Sequence, residues 1–371
     1  MTIPPGPPPY GYGYPPPPPP PRPGVIPLAP LDLGAILSGT FAAFGRHWKQ
    51  LVGVTAAVYG TAILFVGAAI LIAFAAVGDL FPAVFDLPAG QEPRWDDVRP
   101  LIVAFVCVWI AGLIAILCAG ALTAAACPAV IQEAVLGRPT TFGAIWRRAW
   151  ARMPAVLGTV FLTSLILMLP VVILLVGFAA MFVGLLADLG DLDSAPSNGN
   201  WLLIPFLAVL LALLVTPLAT WIWVKFSLAP AVAVMEGQGP IASMRRSSTL
   251  IRGSWWRSFG ILLLVALVTA FVSWLIQQVL SLVAAAPLAA VDFSGDDPSA
   301  VIAAFAVVIA LLLVGQLVSQ LIVSVFPPLA TALLYVDLRI RKENLAPDLA
   351  RAAGLSPGPD AGPRGDWGRL H

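Results

Sequence analysis

The stretch LIVAFVCVWIAGLIAILCAGALTAAAC (101–127) carries no charged side chain. An α-helix rises about 1.5 Å per residue, so roughly 20 residues cross ~30 Å of hydrocarbon, and this stretch exceeds that length. Five further apolar stretches stand to either side of it, at 51–77, 155–187, 201–224, 258–286 and 300–326. Together they predict an all-α membrane protein with about six transmembrane helices. The composition agrees: the 371 residues are 59% hydrophobic and 11% charged, whereas a soluble domain carries about 25% charge. Apolar surface on this scale needs lipid as its solvent. The stretch 155–187 is long and contains Pro170, which predicts a tilt or a kink.

Charge sets the orientation. The segments after the first, third and fifth stretches hold Asp79, Asp86, Glu92, Asp96, Asp97, Asp188, Asp191, Asp193, Asp292, Asp296 and Asp297, with Arg94 and Arg99 as their bases. The opposite segments hold Arg46, Lys49, Arg138, Arg147, Arg148, Arg152, Lys225, Arg245, Arg246, Arg252, Arg257, Arg339, Arg341 and Lys342. Lysine and arginine stay on the inner side of a membrane, so both termini are expected in the cytoplasm. Residues 1–29 are rich in Pro, Tyr and Gly, and the run Pro15–Pro21 favours hydrated polyproline II. They read as a disordered cytoplasmic tail, open to a partner whose aromatic groove would take the prolines with Tyr10, Tyr12 and Tyr14. The tail lacks the basic start and apolar core of a signal peptide, so insertion is expected to begin with the first internal span. Residues 344–371 read as a second disordered tail.

Within 30–343 a threefold pattern emerges, with parallel hairpin repeats at about 30–138, 139–239 and 240–343. Pro30, Pro139 and Pro240 open the units, and Pro128, Pro230 and Pro327–Pro328 mark the returning spans. CPAVIQEAVLGRP (127–139) and APAVAVMEGQGP (229–240) match best, each with a Pro-Ala-Val, a later glutamate and a final proline. Each unit is expected to begin with an amphipathic interfacial helix on the cytoplasmic side. In the first, Leu33, Leu37, Phe41, Phe44 and Trp48 share a face; in the second, Phe142, Ile145, Trp146, Trp150 and Met153 do. The third, 240–260, is interrupted by Gly253. Such helices lie in the headgroup layer, with arginine toward anionic lipid and tryptophan as an anchor. Arg147, Arg148, Arg152, Arg245, Arg246, Arg252, Trp255, Trp256 and Arg257 are therefore the lipid-interface candidates.

RRSSTLIRGSWWRSFGILLL (245–264) resembles the signature of the membrane domain associated with bacterial glycerophosphoryl diester phosphodiesterases. PLDLGAILSGTFAAFGRHWKQLVG (30–53) is similar to the same family's N-terminal interfacial helix, although Ala35 stands where members often place an acid. The resemblance covers roughly 30–343 and implies a polytopic module of actinobacterial type. In that family the phosphodiesterase activity belongs to a separate soluble barrel with His, Glu and Asp metal ligands, and nothing here corresponds to that barrel.

The chemistry-bearing residues point away from catalysis. Two histidines, His47 and His371, leave little for metal or general-base work. Cys107, Cys118 and Cys127 fit no zinc spacing and are expected as small packing residues. No catalytic, cofactor or metal site is assigned, and a net charge of +1 argues against nucleic acid. Glu133 and Glu236 recur at matching places in two repeats and are the structural pairing candidates for nearby arginines. Gln277, Gln278, Gln316 and Gln320 are the polar intramembrane candidates, read first as interhelical hydrogen bonders. The ladder Ala111, Ala115, Ala119, Thr123 and Cys127 offers a small-residue ridge to a neighbouring helix or a second copy. The expected function is a non-enzymatic scaffold or accessory factor gripping anionic lipid, with a membrane-protein partner or homo-oligomer; the alternative is a transporter or channel for a small polar or amphiphilic solute.

Overall fold

The computed structural model describes residues 30–85, 94–135, 141–190, 203–289 and 298–352, and all regular structure among these residues is helical. The long elements are α1 (Leu33–Val77), α3 (Trp95–Val135), α4 (Phe142–Gly190), α5 (Leu203–Phe226), α8 (Trp255–Ala289) and α9 (Pro298–Glu343). Shorter helices are α2 (Phe81–Phe85), α6 (Ala229–Met235), α7 (Pro240–Ile251) and α10 (Ala346–Ala352). Six of these segments are long and apolar enough to cross a membrane. The chain is a multi-pass membrane protein.

Helix starts and breaks follow from local chemistry. Asp32 caps α1, its Oδ1 accepting the Ala35 amide at 2.6 Å. The amphipathic segment of α1 does not stand apart from the span: the helix runs through 45 residues with one distortion, at His47 (φ −120°, ψ 20°). In α4 the amphipathic turns likewise continue into the span past Pro154 and Pro170. The third such segment does separate, as α7, because Gly253 takes φ +86° and turns the chain before α8. Pro128 and Pro327–Pro328 are absorbed inside α3 and α9, while the turn at Ser227–Leu228 divides α5 from α6, which Pro230 opens.

Two placements correct the sequence reading. Asp96 and Asp97, expected in a connecting loop, lie in the first turn of α3, where carboxylates complement the helix dipole. Residues 346–352, expected in a disordered tail, form α10, because Leu345 and Leu349, one turn apart, pack against the core. The stretches 1–29, 86–93, 136–140, 191–202, 290–297 and 353–371 lie outside the described residues. The polyproline run and the acids Asp86, Glu92, Asp191, Asp193, Asp292, Asp296 and Asp297 fall there.

α1 packs on α3, α4 on α5 and α8 on α9; α3 also packs on α4, and α9 returns to α1 and α3. Burial is concentrated at one end. There Ile36 and Leu51 of α1, Val130 and Ile131 of α3, Val156 of α4, Val232 of α6, Ile251 of α7 and Leu333 of α9 join a single core. Toward the other end the helices expose their apolar side chains, Leu64 at 74%, Leu214 at 75% and Leu282 at 76%. Lipid tails are as apolar as leucine, so these surfaces gain little by packing on one another. Close approach replaces burial there. The ridge on α3 shows the gradient: Ala111 is half-buried, Ala115 and Ala119 are buried, and Thr123 and Cys127 are almost fully enclosed. The Cys127 thiol donates to the Val325 carbonyl of α9 at 3.7 Å.

At the α4–α5 contact a Cβ on Gly177 would overlap the Cβ of Ala208, which cannot rotate away. Gly177→Val is expected to cost about 1–3 kcal/mol by overpacking, read as a lower thermal midpoint of the detergent-solubilised chain, whereas Gly67→Val, with open space around its Cβ position, leaves the midpoint unchanged.

Candidate functional site: the basic end of the bundle

Among the described residues the buried end of the bundle carries nearly all of the ion pairs, and they sort the arginines into two groups. At the centre lies Asp337 of α9, with 0% exposure. Arg257, in the first turn of α8, donates to its Oδ2 at 2.5 Å, and Arg341, one turn along α9, to its Oδ1 at 2.9 Å. The Leu31 amide donates to the same Oδ1 at 2.8 Å. Both guanidinium groups also donate to the Leu31 carbonyl, at 2.6 and 2.7 Å. One carboxylate thus ties the entry to α1, the start of α8 and the end of α9. Charge-assisted bonds on both oxygens are what make a fully buried carboxylate tolerable.

A second network joins α6, α7 and α9. The Tyr335 hydroxyl donates to Glu236 Oε1 at 2.7 Å, and Arg246 Nε donates to the same oxygen at 3.1 Å. Gln238 donates to Glu236 Oε2 at 3.0 Å. Arg246 also pairs with Glu343, which Arg339 holds at 2.8 Å. Desolvation pulls the Arg246 pKa down, but its hydrogen bonds to Glu236 and Glu343 outweigh that and leave it above its ordinary value. Glu133 of α3 meets Arg148 of α4 at 3.2 Å, so both recurring glutamates join a returning helix to the helix that follows it.

The first turns of α4 bring Arg147, Arg148 and Arg152 around a cavity of about 820 Å³. Gln132 and Glu133 of α3 and Thr141 complete its polar lining. Arg148 donates to Gln132 at 3.2 Å, and Arg152 donates to the Gly237 carbonyl at 2.9 Å. Gly237 takes φ +70°, and a Cβ there would press on the Arg152 guanidinium at 2.8 Å. The same helix carries an aromatic row, with Phe142 stacked on Trp146 and Trp146 on Trp150 at ring separations of 5.9 and 6.1 Å. Three guanidinium groups against one carboxylate leave this cavity net positive, beside rings suited to the headgroup layer.

The remaining sequence candidates divide. Arg246 and Arg257 are spent on internal carboxylates rather than turned toward lipid. Arg245 is exposed, Trp256 is 78% exposed, and Arg252 and Trp255 border a smaller cavity. In the spans, Gln277 donates to Gln316 at 3.2 Å and to Ser319 at 3.4 Å, joining α8 to α9. Gln320 donates to the Tyr59 hydroxyl of α1 at 2.9 Å, and Gln278 is exposed. Asp337, Tyr335 and Glu343 were not singled out by sequence reasoning. The i, i+4 spacing of Asp337 and Arg341 was a readable signal; the partnership with Arg257, eighty positions away, was not.

These features define an all-α, multi-pass membrane protein whose basic end is an ion-paired core with a cationic cavity beside it. Residues 51–338 match the family described as Domain of unknown function (DUF7847), and the chain belongs to that family. No curated protein and no solved structure matches it.

Removing one partner of a buried pair leaves the other charge stranded, at a cost of about 3–5 kcal/mol. Asp337→Ala is expected to lose about that much unfolding free energy, read as a lower unfolding midpoint of the purified chain, and Arg257→Gln to lose nearly as much. Arg245→Gln, at an exposed position, is expected to leave it unmoved.

Proposed function

We propose that this protein is a non-enzymatic scaffold or accessory factor of the bacterial plasma membrane that grips anionic lipid from the cytoplasmic side. The observation that carries the reading is the convergence of Arg147, Arg148 and Arg152 on one open cavity, next to the stacked row Phe142–Trp146–Trp150. Arg246, Arg257, Arg339 and Arg341 are tied to internal carboxylates, whereas Arg147, Arg148 and Arg152 share Glu133 alone and leave this cavity with excess positive charge. Anionic headgroups supply the complementary charge, at about 1 kcal/mol per basic residue near the surface. The cytoplasmic placement of both termini rests on the concentration of arginine at this end. The stretch that resembles the phosphodiesterase-associated membrane domain forms α7, its corner and the start of α8, a region that ties elements together through Arg246 and Arg257. Gln277, Gln316 and Gln320 are engaged in bonds between helices, which favours a scaffold over a path for a small polar or amphiphilic solute.

Two measurements test this. Replacing Arg147, Arg148 and Arg152 together by glutamine is expected to reduce the preference for phosphatidylglycerol over phosphatidylcholine by roughly tenfold or more, read by native mass spectrometry of lipid retained on the detergent-purified chain. An unchanged preference counts against the reading. For orientation, in a background with Cys107, Cys118 and Cys127 replaced by alanine, Asp79→Cys is expected to react with a membrane-impermeant maleimide on intact cells. Thr141→Cys is expected to react only after permeabilisation. Labelling of both from outside would refute the topology.

A further inference from the structure

A second cavity, of about 450 Å³, lies where the end of α5 meets the α7–α8 corner. Trp221, Lys225, Ser248, Thr249, Arg252 and Trp255 line it, and among the described residues no carboxylate does. Arg246, Arg257, Arg339 and Arg341, nearby in the same end of the bundle, all meet acids. Among the described residues neither Lys225 nor Arg252 forms an ion pair. A third cation adds to the imbalance: Lys342 Nζ reaches the Arg252 carbonyl at 2.5 Å. Like charges held together without a counter-ion repel, and a fold that keeps them this way favours an anion between them.

The remaining chemistry narrows the ligand. The Lys225 ammonium sits 3.4 Å from the centre of the Trp221 ring, so that aromatic face is already taken by a cation and is closed to a quaternary ammonium. Ser248 and Thr249 spend their hydroxyl protons on the Arg245 carbonyl, at 2.8 and 3.0 Å, which leaves the two cations as the charged donors. The amides of Trp255, Trp256 and Arg257 precede the first backbone bond of α8, from Ser258 to Ser254, and add uncommitted N–H groups at the same corner. The volume falls in the roughly 300–1,000 Å³ range of small-ligand pockets.

We propose that the α5–α7–α8 corner is a phosphate-binding site, with Lys225 and Arg252 as the charge partners of a phosphodiester headgroup or of a phosphomonoester of similar size. The inference deepens the lipid-gripping reading but does not depend on the α4 cavity. Its test is therefore run on the full chain carrying Arg147→Gln, Arg148→Gln and Arg152→Gln, so that each reading can fail alone. In native mass spectrometry this protein is expected to retain phosphatidylglycerol in preference to phosphatidylcholine. Adding Lys225→Gln and Arg252→Gln is expected to weaken that retention at least about tenfold, as loss of charged hydrogen bonds implies. Thr249→Glu, which places a carboxylate in the pocket, is expected to have the same effect and guards against a variant that merely misfolds. Competition by glycerol phosphate assigns the phosphate group itself as the ligand; lipid retained against it assigns the membrane-bound headgroup. Equal retention with and without the pocket substitutions, or equal retention of the two lipids, overturns the proposal.

Discussion

The structure depends on one buried negative charge. Asp337 is withdrawn from solvent, and its carboxylate is held by Arg257, Arg341 and the Leu31 amide. Because an isolated carboxylate in such a place would cost several kcal/mol, each partner has to arrive for the others to be stable. Those partners come from the two ends of the membrane-spanning region and from α8, so the interaction closes the bundle. The Glu236 network repeats the logic a short distance away, drawing α6, α7 and α9 together around Tyr335.

Solvent explains why the firm packing is at this end. In the far halves of the helices the competitor for an apolar side chain is a lipid tail, so burial brings almost no gain, and contact relies on glycine, alanine and a few amide bonds such as Gln277–Gln316. Near the basic end water is the competitor, and the hydrophobic effect and ion pairing act together. Positive charges there follow two fates. Those facing carboxylates hold the fold, while Lys225, Arg252 and Arg147 line cavities and form no ion pair among the described residues.

Much of the fold was legible from hydropathy. Charge-free stretches longer than a bilayer crossing read as helices because a backbone in hydrocarbon can satisfy its hydrogen bonds only internally. Pro128 and Pro327–Pro328, read as marks of the returning spans, lie inside helices that continue through them. An interrupted helix inside this packed core would leave several backbone groups unpaired, where each absorbed proline forfeits one bond. Gly253 did break the chain, since a glycine with positive φ turns it outright. Periodicity placed Phe142, Trp146 and Trp150 on one face, but could not tell a helix lying in the interface from the opening turns of a span.

By itself the sequence determined what depends on composition and short range: helical spans, the aromatic faces, and glutamates placed to meet an arginine of the next helix. Tertiary structure alone decided which arginines are spent and which are free. Arg257 and Arg252 stand in one short run, RGSWWR, and no local rule separates them. Their difference arises because α9 brings Asp337 to Arg257 while, among the described residues, no carboxylate reaches Arg252, a matter of partners distant in the chain that only packing can supply.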